Sequence, residues 1–136
     1  MNITKEEALK KIEELKKYVK EKDKSTEIKD DFYWYEEKYK DVDFNKIKSI
    51  GGYAYLEGCS SDLSSLESIG GNAYLEGCSS DLNSLESIGG DANLQGCSKK
   101  LKKSLAKTLK KCGDIYIEFR DEPMTLDEFK EYASNL

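Results

Sequence analysis

The chain has 136 residues, a net charge of −5 and no histidine. With 36% charged and 38% hydrophobic residues it reads as one soluble domain with a modest core, and its apolar runs are too short to span a bilayer. The acid excess disfavours a general nucleic-acid binder, and the missing histidine removes the commonest general base and zinc ligand.

In chain order, "ITKEEALKKIEELKKYVKEKD" predicts an amphipathic helix with Leu9, Ile12, Leu15 and Val19 on one side, opened by a Thr4–Glu7 capping box. It has no apolar core of an export signal, so the four cysteines are expected as reduced thiols in a cytoplasm. Residues 20–29, "KEKDKSTEIK", read as a solvated loop, and "FYWYEE" (Phe32–Glu37) as a first strand-like segment.

A repeat follows. Ser49–Glu67 and Ser68–Glu86 differ at only two of 19 positions, Tyr53/Asn72 and Ser64/Asn83, and a third copy starts at Ser87 and drifts after Ser98. A fixed short period marks a solenoid, whose units bury their apolar faces only against their neighbours. The period extends backwards, with Phe44 under Leu63 and Ile47 under Leu66. It extends forwards if four residues are inserted, so that Gly113–Phe119 matches Gly90–Gly96. Strands are therefore predicted at Tyr53–Glu57, Asn72–Glu76, Asp91–Gln95 and Asp114–Phe119, with Ala54/Leu56, Ala73/Leu75, Ala92/Leu94 and Ile115/Ile117 facing inward. The Gly-Gly pairs before each strand, and Gly58, Gly77 and Gly96 after it, are read as turns with positive φ. The spacing of three in Leu63-x-x-Leu66-x-x-Ile69 predicts a short helix or 3₁₀ turn on the return path, capped by Ser60 or Ser61. "MTLDEFKEYASNL" predicts a closing helix with a Thr125–Glu128 capping box, burying Leu126, Phe129 and Tyr132.

The phrase "SIGGxAxLxGCS" resembles the bacterial leucine-rich repeats. With Ala73 at the family's fourth position, Leu75 takes the sixth and Cys78 the ninth; glycine (Gly51, Gly70, Gly89) replaces the first leucine and the unit is short. The resemblance implies an α/β solenoid of short leucine-rich-repeat-like units with a parallel β-sheet, capped by helices at both ends, that binds through its exposed sheet face without catalysis. Residues 1–29 form the N-terminal helix and loop, 30–119 the repeats and 120–136 the C-terminal cap. A β-helix with more than one strand per turn is the competing architecture.

Three groups are candidates for function. Cys59, Cys78 and Cys97 recur at one position. A straight column at strand spacing makes no tetrahedral cage, so they read as a buried structural ladder with no metal, and Cys112 as a buried residue near the last turn. The outward columns Tyr53/Asn72/Asp91/Asp114, Tyr55/Tyr74/Asn93/Tyr116 and Glu57/Glu76/Gln95/Glu118 form an aromatic, acidic face suited to docking a protein with a basic surface. Solvated strand positions duplicated with the repeat are the plainer reading of the same columns. The inserted "KKLKKSLAKTLKK" predicts a helix whose lysines, Lys99, Lys102, Lys103, Lys107 and Lys110 among them, offer a second, basic surface or simply balance the acidic strands. No nucleophile motif, phosphate loop or cofactor motif is present, and residues that recur in every unit are structural, so the chain is not read as an enzyme. The expectation is a monomeric inhibitor or adaptor, without specific nucleic-acid binding or membrane contact. An acidic nucleic-acid mimic from a phage or mobile element that blocks a host defence nuclease, and a structural assembly protein, are the alternatives.

Overall fold

The computed structural model describes residues 4–22 and 25–136, the side chains of 15–22 excepted. Each repeat contributes two strands rather than one. Numbered in chain order, β1 (Thr26–Ile28), β3 (Ile47–Ile50), β5 (Ser68–Ile69) and β7 (Ser87–Ile88) form one parallel sheet in that order. A second parallel sheet holds β2 (Phe32–Tyr33), β4 (Ala54–Tyr55), β6 (Ala73–Tyr74), β8 (Ala92–Asn93) and β9 (Ile115–Tyr116). With α1 (Lys5–Lys22), α2 (Lys99–Thr108) and α3 (Leu126–Ser134) this is an α/β fold. No described helix is long and apolar enough to cross a membrane.

The repeat sets the register. Ala54 lies beside Ala73 and Ala73 beside Ala92, while Ile50, Ile69 and Ile88 align in the other sheet. Ala92 then pairs with Ile115, an offset of 23 residues in place of 19, as the four-residue insertion requires. The strands are shorter than predicted, because after two residues the chain bends back around a narrow core.

Of the two forms expected for the return path, the turn is the one present: Leu63–Leu66 makes a single i→i+3 turn, Leu66 N–H to Leu63 O at 3.1 Å, and then enters β5. Asp62 and Asp81 hold these turns through their Oδ1 atoms, which accept the Ser64 and Asn83 N–H groups at 2.9 and 3.2 Å; Ser60 and Ser61 are not caps of a helix. The solvated loop predicted at 20–29 likewise contains β1, which pairs with β3.

The Gly-Gly pairs are not left-handed turns either. A Cβ on Gly70 would lie 2.2 Å from the carbonyl oxygen of Gly51, and one on Gly89 would lie 2.2 Å from that of Gly70. Glycine is needed there because successive backbones touch. Positive φ is confined, among described glycines, to Gly58, Gly77 and Gly96.

The core is a set of columns: Leu56/Leu75/Leu94/Ile117, Ile50/Ile69/Ile88 with Ile47 in the first sheet, and the return-path residues Leu63/Leu82 and Leu66/Leu85, all 5% exposed or less. The inner column of the second sheet runs Phe32, Ala54, Ala73, Ala92, Ile115, so alanine fills the crowded middle layers and larger side chains fill the ends. Phe32 packs against Tyr39 and Phe44, with ring centroids 4.7 and 5.3 Å away. At the other end Ile115 and Met124 exchange two backbone hydrogen bonds of 2.8 Å, which closes the edge beyond β9.

Both helices of the C-terminal half follow the sequence. Ser98 caps α2 by accepting Leu101 N–H, and α2 buries Leu101 and Leu105. The capping box of α3 is complete: Thr125 Oγ1 accepts Glu128 N–H at 3.2 Å and Glu128 Oε1 accepts Thr125 N–H at 3.1 Å. Phe129 is buried, with Tyr132 and Leu126 packed partly against the core. In α1, Glu7 N–H donates to Thr4 Oγ1 at 3.2 Å, but Leu9 and Ile12 are about half exposed, so the apolar edge expected to be covered is open there. The side chains of Leu15 and Val19 lie outside the described residues.

Candidate functional site

The outer face of the second sheet carries the predicted columns, and the parallel register turns sequence repetition into side-chain stacking. Tyr55 and Tyr74 stack with centroids 5.0 Å apart at 14°. Tyr33 extends the column, stacked on Tyr55 at 4.4 Å and 4°. Tyr53 meets both Tyr55 and Tyr74 edge-on, with centroids 6.3 Å away in each case. Asn93 and Tyr116 occupy the next two rungs. Desolvation within the stack pushes the Tyr55 phenol up to about 12, helped by the neighbouring Tyr33 and Tyr74 phenols and Asp31.

The adjacent column does structural work that the sequence reading assigned to binding. Asn72 Oδ1 accepts Asp91 N–H at 2.9 Å, and Asp91 Oδ1 accepts Asp114 N–H at 2.8 Å. Asp31 Oδ1 accepts Tyr53 N–H at 2.8 Å. Each side-chain oxygen thus ties its layer to the next, and Tyr53, lacking such an oxygen, interrupts the series. Asp31 and Tyr33 escaped the sequence reading because the first spacing, Phe32 to Ala54, is 22 residues instead of 19. The signal was present as an aspartate just before "FY", matching "DA" and "DI" before the later strands.

In the third column, partial burial pushes the Glu57 carboxyl up, and the Glu76 carboxylate adds to that. Glu76 Oε2 is itself buried without a hydrogen-bond partner among the described residues. Gln95 is exposed. Glu118 differs. Its Oε1 takes the Lys102 ammonium and its Oε2 accepts Gly96 N–H at 2.9 Å. Burial opposes ionisation, yet these hydrogen bonds and the lysine charge hold the Glu118 carboxyl below its usual range.

Lys102 is therefore a correction. It was grouped with an exposed basic surface, but its side chain is only 3% exposed because α2 turns it inward onto Glu118. Lys99, Lys103, Lys107 and Lys110 are exposed as expected, and Lys110 lies 3.6 Å from Glu86.

The three repeat cysteines form the expected buried ladder. Cys97 Sγ donates to Leu75 O at 2.9 Å, and Ser80 Oγ donates to Cys59 Sγ at 3.2 Å. Burial raises the Cys78 thiol and pushes Cys97 up to about 11. Cys112 is half-buried rather than buried, and burial together with the Asp91 charge pushes its thiol up to about 12.

One exposed residue lies outside the three candidate groups. Phe119 is fully exposed and has φ +64°, at the place in its unit where the earlier units have Gly58, Gly77 and Gly96. Comparison of the chain with protein-family models, with curated proteins and with solved structures gives no match.

Proposed function

We propose that the chain is a non-catalytic protein-binding module, a small leucine-rich-repeat-like solenoid that works as a cytoplasmic monomer and docks a partner with a basic surface through the outer face of its second sheet. The observation that carries this reading is the stack of Tyr33, Tyr55 and Tyr74, a rigid, half-buried aromatic strip on the outer face beside Glu57, Glu76 and Asp91. Stacked tyrosines have already lost their side-chain freedom, so a partner meets a preorganised surface and less entropy is lost on binding. The mechanism is occupation: a stiff face covers a basic groove and inhibits or recruits its owner. An acidic mimic of nucleic acid receives less support. Glu118 is neutralised by Lys102, and Asp31 and Asp91 each spend one oxygen on the backbone.

The test is affinity capture from the native host with the wild-type chain and a Tyr55→Ala/Tyr74→Ala double variant, each first shown to be folded. A stoichiometric partner held by the wild type and lost by the variant is expected. Retention by the variant, or recovery of nothing but copies of the chain itself, would overturn the reading, the latter in favour of an assembly role.

A further inference from the structure

The tyrosine column has one missing rung. After Tyr33, Tyr55 and Tyr74 the next strand carries Asn93, and the one after it Tyr116. Tyr74 and Tyr116 are two strands apart, about 9–10 Å at the usual strand spacing. That equals two of the 4.4–5.0 Å intervals at which the rings of this column already stack. One planar group would complete the series.

The space exists. A cleft of about 250 Å³ is lined by Tyr74 and Tyr116 from the two flanking strands, Ala92 and Asn93 from the strand between them, and Asn72 and Asp91 just before β6 and β8. Asn93 does not fill it: its Oδ1 is turned along its own strand to accept Gln95 N–H at 3.1 Å. Asn72 is committed too, its Oδ1 to Asp91 N–H and its Nδ2 to the Tyr74 hydroxyl at 3.1 Å. Asp91 gives one oxygen to Asp114 N–H and leaves its other for a ligand; it lines the cleft, and no lysine or arginine is among the lining residues.

We propose that this cleft binds the guanidinium group of an arginine side chain. The proposal rests on the reading of the tyrosine face as a docking surface and names what that surface grips. A guanidinium is planar and weakly hydrated, so it can lie between two phenol rings and gain from the negative face of each. Its edge carries N–H donors that suit the free oxygen of Asp91. An ammonium has the charge without the plane. A neutral ring has the plane and gains nothing from Asp91. A nucleotide would bring phosphate towards Asp91 and Asp114.

The probe is the peptide acetyl-Gly-Arg-Gly-amide, titrated into the whole protein and followed by amide-resolved NMR. Saturable shifts centred on Tyr74, Asn93 and Tyr116 are expected. The lysine peptide and the citrulline peptide should bind about tenfold more weakly, the size of one lost stacking or charge contact. Asn93→Tyr, which supplies the missing rung in the form two neighbouring strands already use, should abolish the shifts. Asp91→Asn keeps an oxygen for Asp114 N–H and removes the charge, so it should weaken the arginine peptide about tenfold with the unfolding midpoint unchanged. Equal binding of the lysine or citrulline peptide, undiminished binding by Asn93→Tyr, or tighter binding of adenosine monophosphate would overturn the proposal. The titration needs no native partner. If capture finds none while the arginine peptide still saturates the cleft, the docking reading fails and the site stands. If Asn93→Tyr captures the partner as well as wild type and no peptide binds, the site fails and the docking reading stands.

Discussion

Lys102 and Glu118 join the inserted helix to the last strand segment. The lysine is 3% exposed and its ammonium is held by Glu118 Oε1, while Glu118 Oε2 accepts the Gly96 N–H at 2.9 Å. The carboxylate therefore serves two layers at once.

Removing either partner of this pair should have unequal effects. Glu118→Gln leaves a buried ammonium without its counter-charge and should cost about 2–3 kcal/mol. Lys102→Met leaves a carboxylate that is 30% exposed and still bonded to Gly96, and should cost about 1 kcal/mol or less. Urea unfolding at neutral pH measures both. Because the Glu118 carboxyl is held below its ordinary value of 4.5, its contribution is complete above that pH and is lost as pH falls through the lower folded value. Glu118→Gln should flatten that part of the acid-unfolding profile.

Glycines in one unit should respond to a methyl group with very different costs. At Gly70 the added carbon meets the Gly51 carbonyl at 2.2 Å, backbone against backbone, so Gly70→Ala should cost more than about 3 kcal/mol or prevent folding. At Gly77 nothing lies within 4 Å and only φ +67° is unfavourable, so Gly77→Ala should cost about 1 kcal/mol. Phe119→Gly reverses that second change and should stabilise by roughly 1 kcal/mol. Chemical denaturation of the three variants checks the order.

Thiol accessibility follows from the ladder. Cys59, Cys78 and Cys97 are 6% exposed or less, and burial raises Cys78, Cys97 and Cys112. The thiolate is the reactive form, so alkylation of the native protein at neutral pH should be slow at all four positions and complete only in denaturant. Mass spectrometry after a short iodoacetamide pulse distinguishes the two states. Rapid native labelling of any ladder cysteine would contradict the burial.

Alkaline titration reads the tyrosine stack. The Tyr55 phenol is raised from 10.0 to about 12, so the folded form favours its neutral state. That contribution is fully present below pH 10 and should be lost as pH rises through about 12. In Tyr33→Leu the phenolate absorbance should show Tyr55 ionising closer to 10, since a neighbouring phenol is removed.

Much of this protein is written in its repeats. A unit copied with two changes in 19 must place identical residues at identical heights, so the inner columns Ala54/Ala73/Ala92 and Leu56/Leu75/Leu94, the cysteine ladder and the four-residue insertion before Ile115 all follow from alignment alone. The closing feature read from local chemistry, the Thr125–Glu128 box, needed no more than capping rules. What the sequence left undecided depended on contacts between units. The first sheet, β1, β3, β5 and β7, arises because Ser49, Ser68 and Ser87 find backbone partners one layer away, a pairing that a spacing of three leucines does not reveal. Gly70 looked like a turn until the Gly51 carbonyl was seen against it. Lys102 looked like one more solvated lysine until the packing of α2 pointed it at Glu118. The cleft between Tyr74 and Tyr116 exists because an asparagine takes one rung of a tyrosine column, and only the stacking distance makes that substitution a space of a definite size. Within the repeated strands, alternation fixes which way a side chain faces; the distance to the next layer decides what it touches.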